Sequence, residues 1–377
     1  MSKICLIGDP HFANRKLFGF PTAVKGRNTR LDSVIRAFEW IDQKLKDDYP
    51  EVETVYILGD ITHDHGIMTP AVFDAVQTSV YALTKGGNRE VLLLSGNHDQ
   101  DIHGLSIIKV FGTCDDCESA SVFDIDEIFP RQFGGMQIYP VSYGSDLSQL
   151  WVKLAIDKAR KADPAILLMH HHFEGAVHGP HEFEVPGGLA LKDIPDNVAL
   201  VVSGHYHKWQ WIGNRVLYIG APIQHDFGEA TYLPGFTILT VHDDSKRKPD
   251  VEFVEIPEGE VPRFHILPHT LTPANLPGIP ALDYYRVDLP MDVDPASIEW
   301  LHKAVQHLAV KPLPSTTELR SRVEQYFIEA GTQQPEGRVD LGEVIEAYTM
   351  LNVEDEGRQQ DLIRIGKEIA NKVVSGS

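Results

Sequence analysis

The chain has 377 residues, 42% hydrophobic and 23% charged, a globular composition too long for one ordinary core. Its formal net charge of −20 excludes a protein that grips nucleic acid through a generally basic surface. No apolar run approaches the ~18 residues of a membrane span. The N-terminus enters a strand pattern with no signal-peptide layout, and three cysteines are too few for a disulfide-stapled fold, so a cytoplasmic protein with no membrane part is expected.

Residues 3–8 read as a buried strand with Cys5 inside it. Between Phe12 and Leu31 lie Arg15, Lys16, Lys25, Arg27 and Arg30 with no acidic residue among them. This basic strip is either a solvated loop or a phosphate-facing surface. "TRLDSVIRAFEWIDQKL" sets Leu31, Val34, Ile35, Phe38 and Ile41 on one helical face, and Thr29 with Asp32 offers a capping box. Further strands are expected at 54–59, 91–95, 136–142, 165–169, 199–203, 215–220 and 235–241, and helices at 71–84 and 147–161. Cys114 and Cys117 form a C-x-x-C that supplies only two of the four ligands of a structural zinc, and they read as ordinary thiols.

Strand–helix alternation predicts an α/β sandwich whose functional loops sit at strand C-terminal ends. After about residue 245 the prolines at 257, 262, 268, 273, 277 and 280 mark a linker or short edge strands. A strand at 283–289 and helices at 295–309 and 316–330 then make 260–335 a small α+β domain following a main domain of 1–245. Residues 338–377 read as helical. They carry two apolar stripes, Leu341, Val344, Ile345, Tyr348 and Leu351, then Leu362, Ile365, Ile369 and Val373, which pack on the chain's own core or dock a partner.

The chemistry collects where strands end. "CLIGDPH" brings Asp9 and His11, "YILGD" Asp60, "LLLSGNHD" Asn97 and His98, "AILLMHHH" His170 to His172, and "LVVSGHYH" His205 and His207. Glycine beside most of these lets the backbone turn tightly and approach an ion. Carboxylate, imidazole and amide oxygen together suit a borderline divalent ion rather than calcium or structural zinc. Asp9, His11, Asp60, Asn97, His170, His205 and His207 are seven side chains, enough for two ions, and two-ion sites serve phosphoryl displacement. His170 directly follows its strand, although His171 and His172 are chemically equivalent candidates; alternation turns His171 away from its neighbours.

Taken in order, Gly8-Asp9-Pro10-His11, Gly59-Asp60, Gly96-Asn97-His98-Asp99, His170 and Gly204-His205-Tyr206-His207 resemble the motifs of the calcineurin-like metallophosphoesterase superfamily. The resemblance implies a four-layer α/β/β/α sandwich and two divalent ions, with Mn²⁺ the expected metal. It implies that Asp60 bridges the ions, that Asp9, His11 and His207 complete one site, and that Asn97, His170 and His205 complete the other. It places His98 over the scissile phosphate, to stabilise charge or protonate the leaving oxygen, with Asp99 as a candidate to orient its ring.

His63, in GD-x-x-H, resembles the DNA-repair nuclease branch typified by bacterial SbcD, where this histidine helps handle phosphate and strand. His65 and Asp64 match no role there and read as loop residues. "GAPIQHDFGEA" (220–230) also resembles that branch, and the compactness of the chain suggests a phage-encoded or divergent member. The resemblance implies DNA ends, single strands or hairpins as substrate. It also implies a homodimer, a capping domain, and a helical C-terminus that docks an SbcC-like coiled-coil ATPase. Two other readings compete: a phosphodiesterase or phosphatase for nucleotides or small esters, and a non-catalytic scaffold, which would normally have lost ligands.

Overall fold

The computed structural model describes residues 1–313 apart from 86–88, 114–119, 124–127, 160–162, 180–181, 276–277, 279, 281 and 291–292. The Cys114/Cys117 pair, the expected helix at 316–330 and the C-terminal stripes lie outside the described residues. The chain divides into two compact units, one of residues 1–266, 276–285 and 305–307, the other of 267–275, 286–304 and 308–377.

The first unit runs β1 (Ser2–Ile7), α1 (Thr29–Asp48), β2 (Thr54–Leu58), α2 (Pro70–Lys85), β3 (Glu90–Leu94), β4 (Ala120–Phe123), β5 (Arg131–Phe133), β6 (Met136–Val141), α3 (Leu147–Ala159) and β7 (Ala165–Met169). A two-residue hairpin follows, β8 (Val177–His178) and β9 (Phe183–Glu184), then β10 (Val198–Ser203), β11 (Trp209–Ile212), β12 (Val216–Ile219), β13 (Gly235–Val241) and β14 (Asp250–Glu255). Two six-stranded sheets result, in the orders β14-β13-β1-β2-β3-β4 and β11-β12-β10-β7-β6-β5. In the first, β1 to β4 are parallel and β13 and β14 close one edge antiparallel. In the second, β6, β7, β10 and β12 are parallel and β5 and β11 are antiparallel edges.

The alternation of side chains sorts the core into three seams. Cys5, Ile7, Val55, Ile57, Val91 and Leu93 face helices α1 and α2, meeting Leu31, Val34, Phe38, Ile41, Ala75 and Val80. Their neighbours Ile4, Leu6, Tyr56, Leu58, Leu92 and Leu94 face the second sheet, meeting Ile138, Ile166, Leu168, Leu200, Val202, Leu217 and Ile219. The outer face of the second sheet, with Tyr139, Leu167, Met169, Val201 and Val216, packs on Leu150 and Leu154 of α3. Where strands are buried on both faces they are apolar residue after residue, which is why Ile4–Ile7, Val55–Leu58, Val91–Leu94 and Ala165–Met169 read as unbroken runs. The four-layer α/β/β/α sandwich is therefore present.

Two local expectations change. Helix α1 is capped by Asn28, whose side chain accepts from the N–H groups of Arg30 and Leu31, both at 3.1 Å, while the Thr29 hydroxyl donates to the Phe18 carbonyl. Asn28 has the extended backbone a cap requires, and Thr29 is already helical. The helix expected over 295–309 shrinks to a 3₁₀ turn at Pro295–Ile298 and one helical turn, α4 (Leu301–Ala304). From Leu308 the chain is strand, Leu308–Leu313, and backbone groups committed to a ladder are lost to a helix. A further strand at Tyr284–Pro290 matches the one expected at 283–289. In the second unit Asp294 caps the 3₁₀ turn, and Arg286 grips Asp288 with two hydrogen bonds. No helix among the described residues is long and apolar enough to cross a membrane.

Candidate active site

The C-terminal ends of β1, β2 and β3 in one sheet and of β7 and β10 in the other deliver every sequence-predicted site residue to a single cluster. Asp9 and His11 follow β1, Asp60 and His63 follow β2, Asn97 and His98 follow β3, His170 follows β7, and His205 and His207 follow β10. The turns are strained. Asp9, His11, Asp60 and His205 all have positive φ, at 44°, 48°, 49° and 91°. Non-glycine residues hold such angles only where the surroundings over-determine them, and here they converge on candidate ligands. Two glycines make the approach possible. A Cβ on Gly59, itself at φ 84°, would lie 2.2 Å from His170 Nδ1, and one on Gly96 would lie 2.2 Å from Asp60 Oδ1.

Asp60 stands between two sets of donors. Its Oδ2 is 3.5 Å from His11 Nε2, and its Oδ1 is 3.3 Å from His170 Nε2. On the first side His11 Nε2 faces His207 Nε2 at 3.1 Å, and Asp9 Oδ1 is 4.0 Å from His207 Nε2. On the second, Asn97 Oδ1 is 3.1 Å from both His170 Nε2 and His205 Nδ1. Asp9, Asp60 and His170 bring ligand atoms within 4.8 Å of one another, as do His11, His207 and His225. Asp9 and Asp60 are essentially buried with no Lys or Arg against them among the described residues. Facing imidazole nitrogens and buried carboxylates without a cation are a donor set that fits divalent ions.

Electrostatics follow from this crowding. Burial pushes the Asp9 carboxyl up to about 6, with the His170 and His207 imidazoles pulling back. Asp60 is held low in spite of burial because His170 and His98 lie against it. Burial favours neutral His170 and His207, yet the carboxylates outweigh it. His170 is pushed up to about 9 by Asp60 and Asp9, and His207 to about 9, chiefly by Glu229. His205 falls to about 3 through burial and the charge on His170.

The triple histidine resolves. His170 is fully buried in the cluster and its Nδ1–H donates to the Leu58 carbonyl at 2.8 Å. His171 turns to stack on Tyr143, with centroids 5.7 Å apart, and His172 Nδ1 pairs with the Tyr206 hydroxyl at 2.7 Å.

His98 lies at the lip. Its Nδ1–H donates to the His63 carbonyl at 2.7 Å, which leaves Nε2 free for a substrate proton. The expectation that Asp99 orients this ring is corrected. Asp99 is buried and accepts from Ile61 N, Thr62 N, Thr62 Oγ1 and Gly96 N at 2.7–3.1 Å, tying the loops after β2 and β3 together. Burial, then the Asp60 charge, pushes Asp99 up to about 7 against those N–H groups.

His63 Nδ1 is 3.2 Å from His11 Nδ1 and 3.2 Å from Arg15 Nη2, and its ring stacks on His98 at 5.1 Å. Burial, then Arg15, lowers its pKa to about 4. His65 is more than a loop residue: its ring also stacks on His98, with centroids 4.2 Å apart.

Two further residues were not singled out from the sequence. Glu229, in the 3₁₀ turn Phe227–Glu229, accepts from His207 Nδ1 at 2.5 Å and from the His225 backbone N–H at 2.7 Å. His225 Nε2–H donates to the Asp9 carbonyl at 2.9 Å and so holds the strained turn after β1. The only signal for either was the segment "GAPIQHDFGEA", which shows no strand-end position for them.

Sandwich and donor set together define a metal-dependent phosphoesterase. The calcineurin-like phosphoesterase family profile matches residues 2–209, more than half of the chain, and the chain belongs to that family. Membership supports a hydrolase that uses divalent metal ions. Among solved structures it is similar to GAP50, the anchor in the inner membrane complex of Plasmodium (13% identity, TM-score 0.43, 69% of this chain and 86% of that one). It is also similar to a 5′-nucleotidase precursor from Thermus thermophilus (12%, TM-score 0.40, 70% and 56%). A third is nuclease MPE of Pseudomonas putida (18%, TM-score 0.24, 48% and 67%). These likenesses are too distant to bear on substrate. No curated protein matches by sequence.

Proposed function

We propose that this chain is an SbcD-like DNA nuclease subunit that hydrolyses phosphodiester bonds at DNA ends, single strands or hairpins with two divalent ions, Mn²⁺ first among them. The observation that carries the reading is His63, bonded at 3.2 Å to His11 and stacked on His98, an imidazole beyond what a minimal phosphoesterase site requires.

Asp9, His11, His207 and Asp60 would hold one ion, and Asp60, Asn97, His170 and His205 the other. Bound ions there would supply Lewis-acid stabilisation of the phosphoryl oxygens. Glu229 takes up His207 Nδ1–H and so leaves Nε2 for the ion that Asp9 and His11 would share, as carboxylates behind ligand histidines do. His98 holds its own proton on Nδ1, and burial keeps the ring neutral. An incoming phosphate anion draws a second proton to Nε2, and the imidazolium then donates it to the leaving oxygen. His63, with Nδ1 accepting from Arg15, carries its proton on Nε2 and can donate to a phosphate oxygen.

The same reading assigns 260–335 to a capping domain and residues 338–377 to docking an SbcC-like ATPase, in a cytoplasmic homodimer. Net charge −20 fits a division of labour in which the partner carries most duplex binding. That charge fits the second reading, a phosphodiesterase or phosphatase for nucleotides or small esters, slightly better.

The test is cleavage of 5′- and 3′-labelled linear DNA with Mn²⁺ by wild type and His63→Ser, beside bis(p-nitrophenyl) phosphate. Loss of DNA cleavage with the small diester still hydrolysed supports the nuclease. Cleavage of the small diester alone by both proteins, unchanged by an SbcC-like partner, moves the assignment to the small-ester enzyme.

A further inference from the structure

Of the five cations in the strip after β1, two are consumed by the fold. Arg27 pairs with Asp74 at 2.6 Å. Arg30 is buried, donates to the Gln224 and His225 carbonyls, and lies over the rings of Phe264 and Tyr284 at 4.7 and 5.0 Å. Lys16 and Lys25 are exposed. Arg15 differs from all of these. It is half-buried at the lip of the cluster, and its one side-chain acceptor among the described residues is His63 Nδ1 at 3.2 Å. Its Nε is buried and has no hydrogen-bond partner among the described residues.

A guanidinium has five N–H donors and no acceptor, and buried cations are normally matched by a carboxylate. Arg15 has no carboxylate within ion-pair distance among the described residues, in a chain with 54 acidic and 34 basic residues. Glu229, Asp226 and Asp64 contribute at a distance only. Burial, then Arg30, lowers its pKa to about 10, so it stays charged at neutral pH. A guanidinium at the edge of a phosphoester site, with N–H donors left over from its bond to His63 and no carboxylate against it, is suited to a phosphate. Arg15 Nη2 and His11 Nδ1 each lie 3.2 Å from His63 Nδ1, so the guanidinium sits beside the carboxylate-lined cluster, where the phosphate next to a scissile one would fall.

We propose that Arg15 binds the phosphate next to the scissile one, so that the site prefers a nucleic acid strand or a nucleotide ester bearing a second phosphate over an ester with one. This rests on the phosphodiesterase chemistry proposed above.

The experiment compares kcat/KM for TpT, which has one phosphate, with pTpT and TpTp, which have two, for wild type, Arg15→Ala and Arg15→Lys in Mn²⁺. Thermal melting of each variant controls for folding. Wild type should favour a two-phosphate substrate by about 10-fold or more, the worth of a charge-assisted pair. Arg15→Ala should lose about 10-fold more on that substrate than on TpT, with partial recovery in Arg15→Lys. Equal loss on all three, or none, overturns the proposal. Binding of 5′-fluorescein-labelled oligo(dT) by anisotropy separates the two readings. If wild type cleaves no diester yet Arg15→Ala still weakens oligo(dT) binding about 10-fold, the catalytic reading fails and the Arg15 assignment stands. Unchanged oligo(dT) binding in Arg15→Ala overturns the assignment whatever the activity.

Discussion

Replacing Glu229 by Gln tests the metal centre at its support. Both partners of this carboxylate are donors, His207 Nδ1–H at 2.5 Å and the His225 backbone N–H at 2.7 Å. An amide offers one acceptor oxygen, so one buried donor must face an NH₂, at a cost of about 1–3 kcal/mol in stability. The loss of charge behind His207 should weaken binding of the ion it shares with Asp9 and His11 by about 10–100-fold. Protons oppose this. With the His207 pKa raised to about 9, proton competition weakens ion binding in the wild type about 100-fold at pH 7 and only about twofold at pH 9. Without Glu229 the His207 pKa drops and that competition is relieved. The defect of Glu229→Gln should therefore be about 10-fold or more at pH 9 and should shrink or vanish at pH 7. Titration calorimetry with Mn²⁺ at both pH values reads it, and the second ion's step should hold steady. An equal defect at pH 7 and pH 9, or equal weakening of both steps, refutes the linkage.

Other outcomes follow from the same geometry. Removing metal with EDTA should lower Tm by roughly 5 °C or more, reversibly with Mn²⁺, since ligands that bind only the native state stabilise it; a Tm indifferent to chelation would remove the ions from the fold. Gly59→Ala puts a Cβ 2.2 Å from His170 Nδ1 at φ 84° and should cost about 1–3 kcal/mol in urea unfolding, together with metal binding at the His170 site. Asp99→Asn loses a carboxylate that accepts from four donors and should destabilise by about 2–3 kcal/mol; slower hydrolysis with unchanged stability would instead restore a direct role on His98.

Much of the sandwich was legible because buried parallel strands have only one way to be written. Ile4 to Ile7, Val55 to Leu58 and Val91 to Leu94 are apolar on both faces, and each is followed within three residues by a glycine and then a candidate ligand. The ligand motifs are local, so chain order revealed them. Helix ends were harder. Thr29 and Asn28 are both good caps, and only the extended backbone at Asn28 separates them. The stretch 295–309 was misread because apolar spacing near Leu301 continues into residues that the tertiary structure draws into a strand.

What the sequence determined by itself was the layered architecture, the strand-end positions of the seven candidate ligands, and the type of chemistry they share. Periodicity and residue type are properties of neighbours along the chain. The tertiary structure decided which partners those ligands meet. His11 and His207 are 196 positions apart and touch at 3.1 Å. Glu229 and His225 reach the site from a loop with no strand pattern, Asp99 turns inward to brace two loops, and Arg15 is left with unused donors beside His63. Contacts of this kind depend on where two sheets and their loops come to rest, a long-range outcome of packing that no local pattern encodes.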